Sequence, residues 1–302
     1  MPVIAAFYTF ASLDPAARRP ALLDLCLAHG VTGTILLADE GVNGTIAGHG
    51  DAIACVIDHI RAWPGCSGID WKRSEAELPP FGRMKVRLKR EIVTMGAPVD
   101  PARSAGRYVA PRDWNALISR PDVAVIDTRN AYEIAMGSFP GAIDPCTERF
   151  GDFPAWWEAN RADFEGKRIA MFCTGGIRCE KSTAYLRMRG VDEVYHLDGG
   201  ILRYLEDVPE AESLWRGECF VFDQRVTVGH GLVPGEASLC HACRRPLKPD
   251  DTARPEYEEG VSCHRCIGVY SEADRARFRE RQRQIGLAAA RRGRHLGPAG
   301  IP

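Results

Sequence analysis

With 302 residues, 39 basic and 40 acidic side chains and a formal net charge of −1, the chain is too evenly balanced to be a globally basic nucleic-acid binder. It is long for a single core, so two or three domains are expected. A composition of 45% hydrophobic and 26% charged residues is that of an ordinary globular protein. No apolar run is long enough to span a bilayer and Met1-Pro2-Val3-Ile4-Ala5 opens no signal-peptide pattern, which together point to the cytoplasm.

Val3 to Phe10 reads as a strand, and Asp14-Pro15 opens a helix through Leu22, Leu23, Leu25 and Leu27 that stops near Gly30. Val31 to Leu37 is a second strand. Gly41-Val42-Asn43-Gly44 reads as a turn into Thr45-Ile46-Ala47, and Asp51 is placed to cap a helix through Ile53, Val56, Ile57 and Ile60. Strands over Gly68 to Arg73 and Met84 to Met95 complete residues 1–95 as a small ferredoxin-like α+β domain. Residues 96–107, rich in Pro, Gly and Ala, read as a linker. Over residues 108–213 strands and helices alternate. Val123 to Ile126 and Arg168 to Phe172 are short apolar runs of the kind buried in parallel sheets, so this is an α/β domain. Residues 214–270 hold an expected strand, Glu218 to Val228, and a cysteine-rich module. Residues 271–302 form a basic helix and tail with Ser271 and Asp274 at its start.

The eleven cysteines, an odd number in a chain without an export signal, argue against a disulfide framework. Cys26 and Cys55 fall in helical apolar patterns and read as core. The segment Cys173-Thr174-Gly175-Gly176-Ile177-Arg178-Cys179 follows a buried strand and precedes a helix expected to begin near Glu180. Such a loop turns backbone N–H groups inward, the helix end adds partial positive charge, and Arg178 adds a full one. A thiolate or persulfide at Cys173 is favoured there, which makes Cys173 the expected nucleophile. Cys179 is either a resolving thiol or a small residue in the first helical turn. Asp127 and Arg129 read as an internal ion pair bracing the fold.

The Cys-x4-Arg loop resembles the rhodanese active-site pattern. Val125 to Glu133 with Phe139-Pro140-Gly141-Ala142-Ile143, and His196-Leu197-Asp198-Gly199-Gly200-Ile201, resemble the segments that flank that loop, in the right order. Asp39-Glu40-Gly41-Val42-Asn43-Gly44-Thr45-Ile46-Ala47-Gly48 and Gly217-Glu218-Cys219-Phe220-Val221-Phe222-Asp223 extend the likeness over most of the chain, to the rhodanese-domain tRNA uridine hydroxylases. That resemblance implies a tRNA substrate and oxygen-dependent conversion of its wobble uridine to 5-hydroxyuridine, with molecular oxygen as co-substrate and an electron donor that no motif here names. Spacing alone reaches only a reactive sulfur. No dinucleotide glycine fingerprint follows a strand, and no two-histidine, one-carboxylate spacing is present. The loop by itself is equally the mark of a sulfurtransferase moving sulfane sulfur through a Cys173 persulfide. An inactive rhodanese scaffold is disfavoured by the intact Cys173 and Arg178. Segment 39–48 is either a plain Asn-Gly turn or a contact to nucleic acid or a partner.

Cys240-x2-Cys243 and Cys263-x2-Cys266 have the spacing of a four-cysteine structural zinc site, with His241 and His264 each beside a candidate ligand. In the last segment Arg275, Arg277, Arg279, Arg281, Arg283, Arg291, Arg292 and Arg294 face only Glu272, Asp274 and Glu280. Beside a tRNA-modifying likeness, that excess reads as phosphate contact.

Overall fold

The computed structural model describes residues 2–75, 81–223 and 225–290. Strand β1 (Val3–Phe10), helix α1 (Pro15–Ala28), β2 (Thr32–Ala38), β3 (Gly41–Gly48), α2 (Gly50–Arg61) and β4 (Trp71–Glu75) follow one another in ferredoxin-like βαββαβ order. The sheet runs β4-β1-β3-β2, antiparallel throughout, and β5 (Met84–Leu88) joins it parallel to β2. Period 2 in the strands and the stripes of the two helices converge on one core: Phe7, Ile35 and Ile46 meet Leu22, Cys26, Ile53, Val56, Ile57 and Ile60. Asp14 caps α1 by accepting from the Ala17 amide at 3.0 Å.

Four expectations in this domain are corrected. Asn43-Gly44 is not a turn. The hairpin turns at Asp39–Glu40, and Gly44 sits inside β3 because the Phe7 ring lies 2.7 Å from where its Cβ would stand. The N-cap of α2 is His49, and Asp51 lies in the first turn, where its charge meets the helix dipole. The last strand ends at Leu88 rather than Met95, because Ile92, Val93 and Met95 leave the sheet to pack on the next domain. Cys55 is half-buried rather than core.

The linker region carries a short helix, α3 (Pro101–Ser104), whose Pro101 is buried. Beyond it come β6 (Arg107–Val109), α4 (Pro111–Ile118), β7 (Val123–Asp127), α5 (Ala131–Ile134), β8 (Gly137–Ser138), α6 (Phe153–Asn160), β9 (Arg168–Phe172), α7 (Ile177–Met188), β10 (Val194–Leu197) and α8 (Gly200–Asp207). The sheet β6-β10-β9-β7 is wholly parallel. Both faces are covered, which is why β9 is apolar and buried from Ile169 to Phe172. Ile169 and Met171 face a core with Trp157 and Phe153, while Ala170 and Phe172 face another with Trp114, Tyr204 and Trp215.

The expected strand 218–228 is a hairpin instead, β12 (Cys219–Phe220) against β13 (Thr227–Val228), preceded by β11 (Arg216–Gly217), which pairs with β8. The Asp223–Arg225 ion pair at 2.6 Å and a left-handed Val226 (φ 62°) tighten the intervening turn. The hairpin β14 (Ser238–Leu239)–β15 (Pro246–Leu247) carries the cysteine module, and helix α9 (Glu272–Ala290) follows it. Ser271 caps α9, accepting from the Asp274 amide at 3.2 Å while Asp274 reaches back to the Ser271 amide. Among the described residues no helix is long and apolar enough to cross a membrane.

Candidate active site

Cys173 is the first residue after β9, where the chain turns into α7. The helix starts at Ile177, three residues before the expected Glu180, so Arg178 and Cys179 belong to its first turn. The reason is Gly176, whose φ of 104° places it as the N-cap and lets its carbonyl accept from the Cys179 and Glu180 amides at 2.9 and 3.2 Å. The same turn brings the Gly176 N–H to 3.1 Å from the Cys173 sulfur. A second helix end closes the loop from above. Ile201 N–H donates to the Cys173 carbonyl at 3.0 Å and Leu202 N–H to that of Thr174 at 3.1 Å. This approach requires Gly200, since a Cβ there would lie 2.5 Å from the Cys173 oxygen and the residue has φ +65°.

The sulfur of Cys173 is buried, and burial alone would push its pKa up. The Cys179 thiol, the Arg178 guanidinium and the amides of Cys179 and Gly176 overcome that and bring it down to about 5. Cys179 moves the other way: burial, then the Cys173 sulfur that it donates to, hold its thiol protonated, with Thr128 Oγ1 at 3.5 Å on its far side. The pair therefore shares one negative charge, carried on Cys173. Arg178 is not free to swing over the loop. Glu133 clasps it in a two-pronged pair at 2.7 and 2.8 Å, and Thr174 Oγ1 lies 3.3 Å from its Nη2. Although burial opposes it, Arg178 keeps Glu133 below the usual carboxylate range. Asp127 and Arg129 form a fully buried pair at 2.6 Å, bracing β7 as expected from sequence.

The thiolate lies at the floor of a cleft of about 1550 Å³ between the ferredoxin-like and rhodanese domains. Thr174, Gly175, Ile177 and Arg178 also line it, and Cys179 sits behind Cys173. The opposite wall was not foreseen from sequence: Tyr8 from β1, Trp71, Lys72 and Arg73 from β4, with Tyr108 and Phe222 completing the rim. Phe222 and Tyr108 are large aromatic side chains left exposed there. Lys72 donates to the Gly199 carbonyl, and burial lowers its pKa while Glu206 and Cys173 work against that.

Segment 39–48 docks the two domains. Lys181 on α7, buried to 1% exposure, pairs with Glu40 Oε2 at 2.8 Å and with Glu91 Oε2 at 2.5 Å, and donates to the Val93 carbonyl at 2.9 Å. Glu40 also accepts from the Ile92 amide at 2.6 Å, and Asn43 Nδ2 donates to the Ile92 carbonyl at 3.0 Å. Phe10, Ala38 and Ile92, with Ile177 against them, form a small apolar seam beside this polar lock. The Asn-Gly pair is thus not a turn, and Asn43 and Gly44 also line the cleft.

The four cysteines of the C-terminal module converge apart from the cleft. All four sulfurs lie within 4.8 Å of one another, with Cys240–Cys266, Cys243–Cys263 and Cys263–Cys266 at 3.9, 3.8 and 3.7 Å. Tetrahedral zinc with Zn–S of about 2.3 Å requires S···S of about 3.8 Å, so the residues fit the ion. His241 is exposed, and His264 faces Asp251 at 3.6 Å, so neither substitutes for a cysteine. The described arginines of the last helix are engaged at home: Arg275 with Glu272, Arg277 with Asp274, Arg279 with Glu258 and Glu272, Arg281 with the Gly260 and His241 carbonyls, and Arg283 with Glu280. Arg279 and Arg281 clamp α9 to the cysteine module. Arg291, Arg292 and Arg294 lie outside the described residues.

Similarity to known proteins agrees with this architecture. Residues 2–92 match the family described as UPF0176 acylphosphatase like domain, and residues 110–207 match the rhodanese-like domain family. The tRNA uridine(34) hydroxylase of Ruegeria pomeroyi is 65% identical over 298 residues, 98% of this chain and 99% of its own. That of Roseobacter denitrificans is 62% identical over 291 residues, covering 96% and 98%, and that of Gluconobacter oxydans 59% over 300 residues, covering 97% and 96%. The chain belongs to the tRNA uridine(34) hydroxylase family.

Proposed function

We propose that this protein is a cytoplasmic oxidoreductase that hydroxylates C5 of the wobble uridine in tRNA, with molecular oxygen as co-substrate and Cys173 as the nucleophile. The observation that carries the reading is the Cys173 sulfur at the floor of the two-domain cleft, met by the Gly176 amide at 3.1 Å at the start of α7. C5 of uracil is a poor nucleophile. Addition of a thiolate to C6 places the ring's electron pair on C5 and O4, which prepares C5 for an electrophilic oxygen. The cleft supplies what a nucleotide needs around that step: Lys72 and Arg73 for phosphate, and the exposed faces of Phe222 and Tyr108 for a base taken out of its stack. Cys240, Cys243, Cys263 and Cys266 would hold a zinc ion, whose part is structural: it ties together a module whose own apolar core is small.

Nucleoside mass spectrometry of tRNA from cells with the protein, without it, and with Cys173→Ala tests the reading. Loss of 5-hydroxyuridine derivatives in both deficient strains is expected. Loss of thiolated nucleosides instead would make the protein a sulfurtransferase, and unchanged 5-hydroxyuridine with Cys173→Ala would remove the residue from the chemistry.

A further inference from the structure

One carboxyl group in the cleft has no part in steadying Cys173. Glu180 lies on the first turn of α7, one residue beyond Cys179, half-buried and lining the same cleft. Two tyrosines from different domains converge on it. Tyr8 of β1 donates to Oε1 at 2.7 Å, and the Tyr108 hydroxyl of β6 lies close enough to hold the carboxyl pKa down. Tyr8 reaches this point only because Gly176 has no side chain: a Cβ there would lie 2.6 Å from the tyrosine oxygen. The contact is thus assembled when the ferredoxin-like domain seats on the rhodanese domain. A carboxyl group half out of water, bound by one tyrosine hydroxyl, faced by a second and, among the described residues, paired with no cation, is an unusual arrangement for structural purposes, where an arginine partner such as that of Glu133 is the economical solution.

We propose that Glu180 is the proton acceptor that completes hydroxylation, removing hydrogen from C5 as the Cys173–C6 bond breaks. This rests on the reading of Cys173 as the C6 nucleophile. After oxygen has been added, C5 carries both H and OH, and C6 carries the cysteine sulfur. The proton on C5 passes to the Glu180 carboxylate, the C–H electron pair becomes the C5=C6 double bond, and the C–S pair returns to Cys173 as thiolate. No oxidant or reductant enters this step. The groups facing Glu180 suit the task. Burial raises its pKa, with Cys173 and Asp198 adding to the rise and the Tyr8 and Tyr108 hydroxyls opposing it, so its carboxylate is a stronger base than that of an exposed glutamate. Both tyrosines are themselves held protonated, by burial and by Glu180, and so stay donors. The His196 ring packs edge-on against Tyr108, centroids 4.1 Å apart, and burial keeps it neutral, with a pKa of about 4, so it adds no competing charge.

The test is the full-length Glu180→Gln enzyme with unmodified tRNA and its oxygen and electron supply in cell extract. Loss of a positioned base costs about 10²–10⁴-fold in turnover. That loss is expected together with accumulation of a denaturant-stable protein–tRNA adduct at Cys173, and with Cys173 alkylated at least as fast as in the parent. Turnover within threefold of the parent, or loss of turnover with no adduct, would overturn the assignment. Cys173→Ser separates the two claims: if it retains activity, the thiol reading fails, whereas an inactive Cys173→Ser beside a fully active Glu180→Gln overturns Glu180 alone. Tyr8→Phe gives an independent readout. Removing a donor to the carboxylate must move the acidic limb of the kcat–pH profile to higher pH, and an unmoved limb counts against Glu180 as the titrating base.

Discussion

Replacing Lys181 by Met leaves Glu40 and Glu91 facing each other with no cation between them. Loss of one member of a buried ion pair costs about 3–5 kcal/mol. Here both carboxylates keep 20% exposure, and three amides, those of Ile92, Met95 and Gly96, remain as donors, so the low end of about 3 kcal/mol applies. At about 2–4 °C per kcal/mol for a chain of this class, the melting temperature falls by about 6–12 °C. The sign of the pH dependence follows from Glu91. Burial opposes its ionisation, but Lys181 and the Met95 and Gly96 amides hold its pKa below the usual 4.5. A depressed carboxylate contributes stability above its unfolded pKa and loses it as pH falls through the folded value. The deficit of the variant should therefore be full at pH 7 and shrink below about pH 4.5. The triple variant Glu40→Gln, Glu91→Gln, Lys181→Met, which leaves no charge behind, should recover at least half the loss. Calorimetry of the parent and the two variants checks this, and a Lys181→Met shift smaller than 2 °C at pH 7 would refute the assignment of the domain seam to this triad.

Three further outcomes follow from the geometry. Iodoacetamide should label Cys173 with a midpoint near pH 5 rather than 9, and since the folded thiol ionises below the unfolded one, its share of stability is complete above pH 9 and lost as pH falls through about 5; a labelling midpoint above 8, scored by peptide mass spectrometry, contradicts the cradle. Gly200→Ala forces a side chain against the Cys173 and Thr174 carbonyls in a left-handed conformation, costing about 1–3 kcal/mol in chemical denaturation and raising the Cys173 labelling midpoint; an unchanged midpoint would show that the α8 contact does not shape the loop. Protein purified without chelator should carry one zinc per chain, and Cys263→Ser should lose both the metal and part of the α9 ellipticity, because Arg279 and Arg281 hang that helix on the module; less than half an equivalent of metal counts against the site.

Local chemistry was legible in the chain itself. Cys173, Gly176 and Arg178 lie within six residues, so strand, loop and helix start can be read without knowing what surrounds them. The two Cys-x2-Cys pairs are legible for the same reason: each has its own turn, closed by Arg244 N–H on the Cys240 carbonyl and by Cys266 N–H on the Cys263 carbonyl. Boundaries failed where packing outweighed local signals. Asn43-Gly44 has a strong turn preference, yet β1 pairs along it and the Phe7 ring needs the space. Likewise, eight nearby arginines give a basic tail in sequence, while five of them, all those described, find partners in the fold.

By itself, then, the order of residues determined the three kinds of module, the Cys173 loop and the two cysteine pairs, because each depends on contacts spanning a few residues or on an alternation repeated along one element. Only the tertiary structure decided which wall faces that sulfur. Glu133 stands 45 residues from Arg178, Tyr8 stands 172 from Glu180, and Glu91 stands 90 from Lys181. No periodicity links such positions. Glu133 and Arg178 meet through the fold of the rhodanese domain, whereas Tyr8 meets Glu180 and Glu91 meets Lys181 because two separately cored domains close on one seam, and that part of the cleft's hydrogen-bond pattern is a property of the closure.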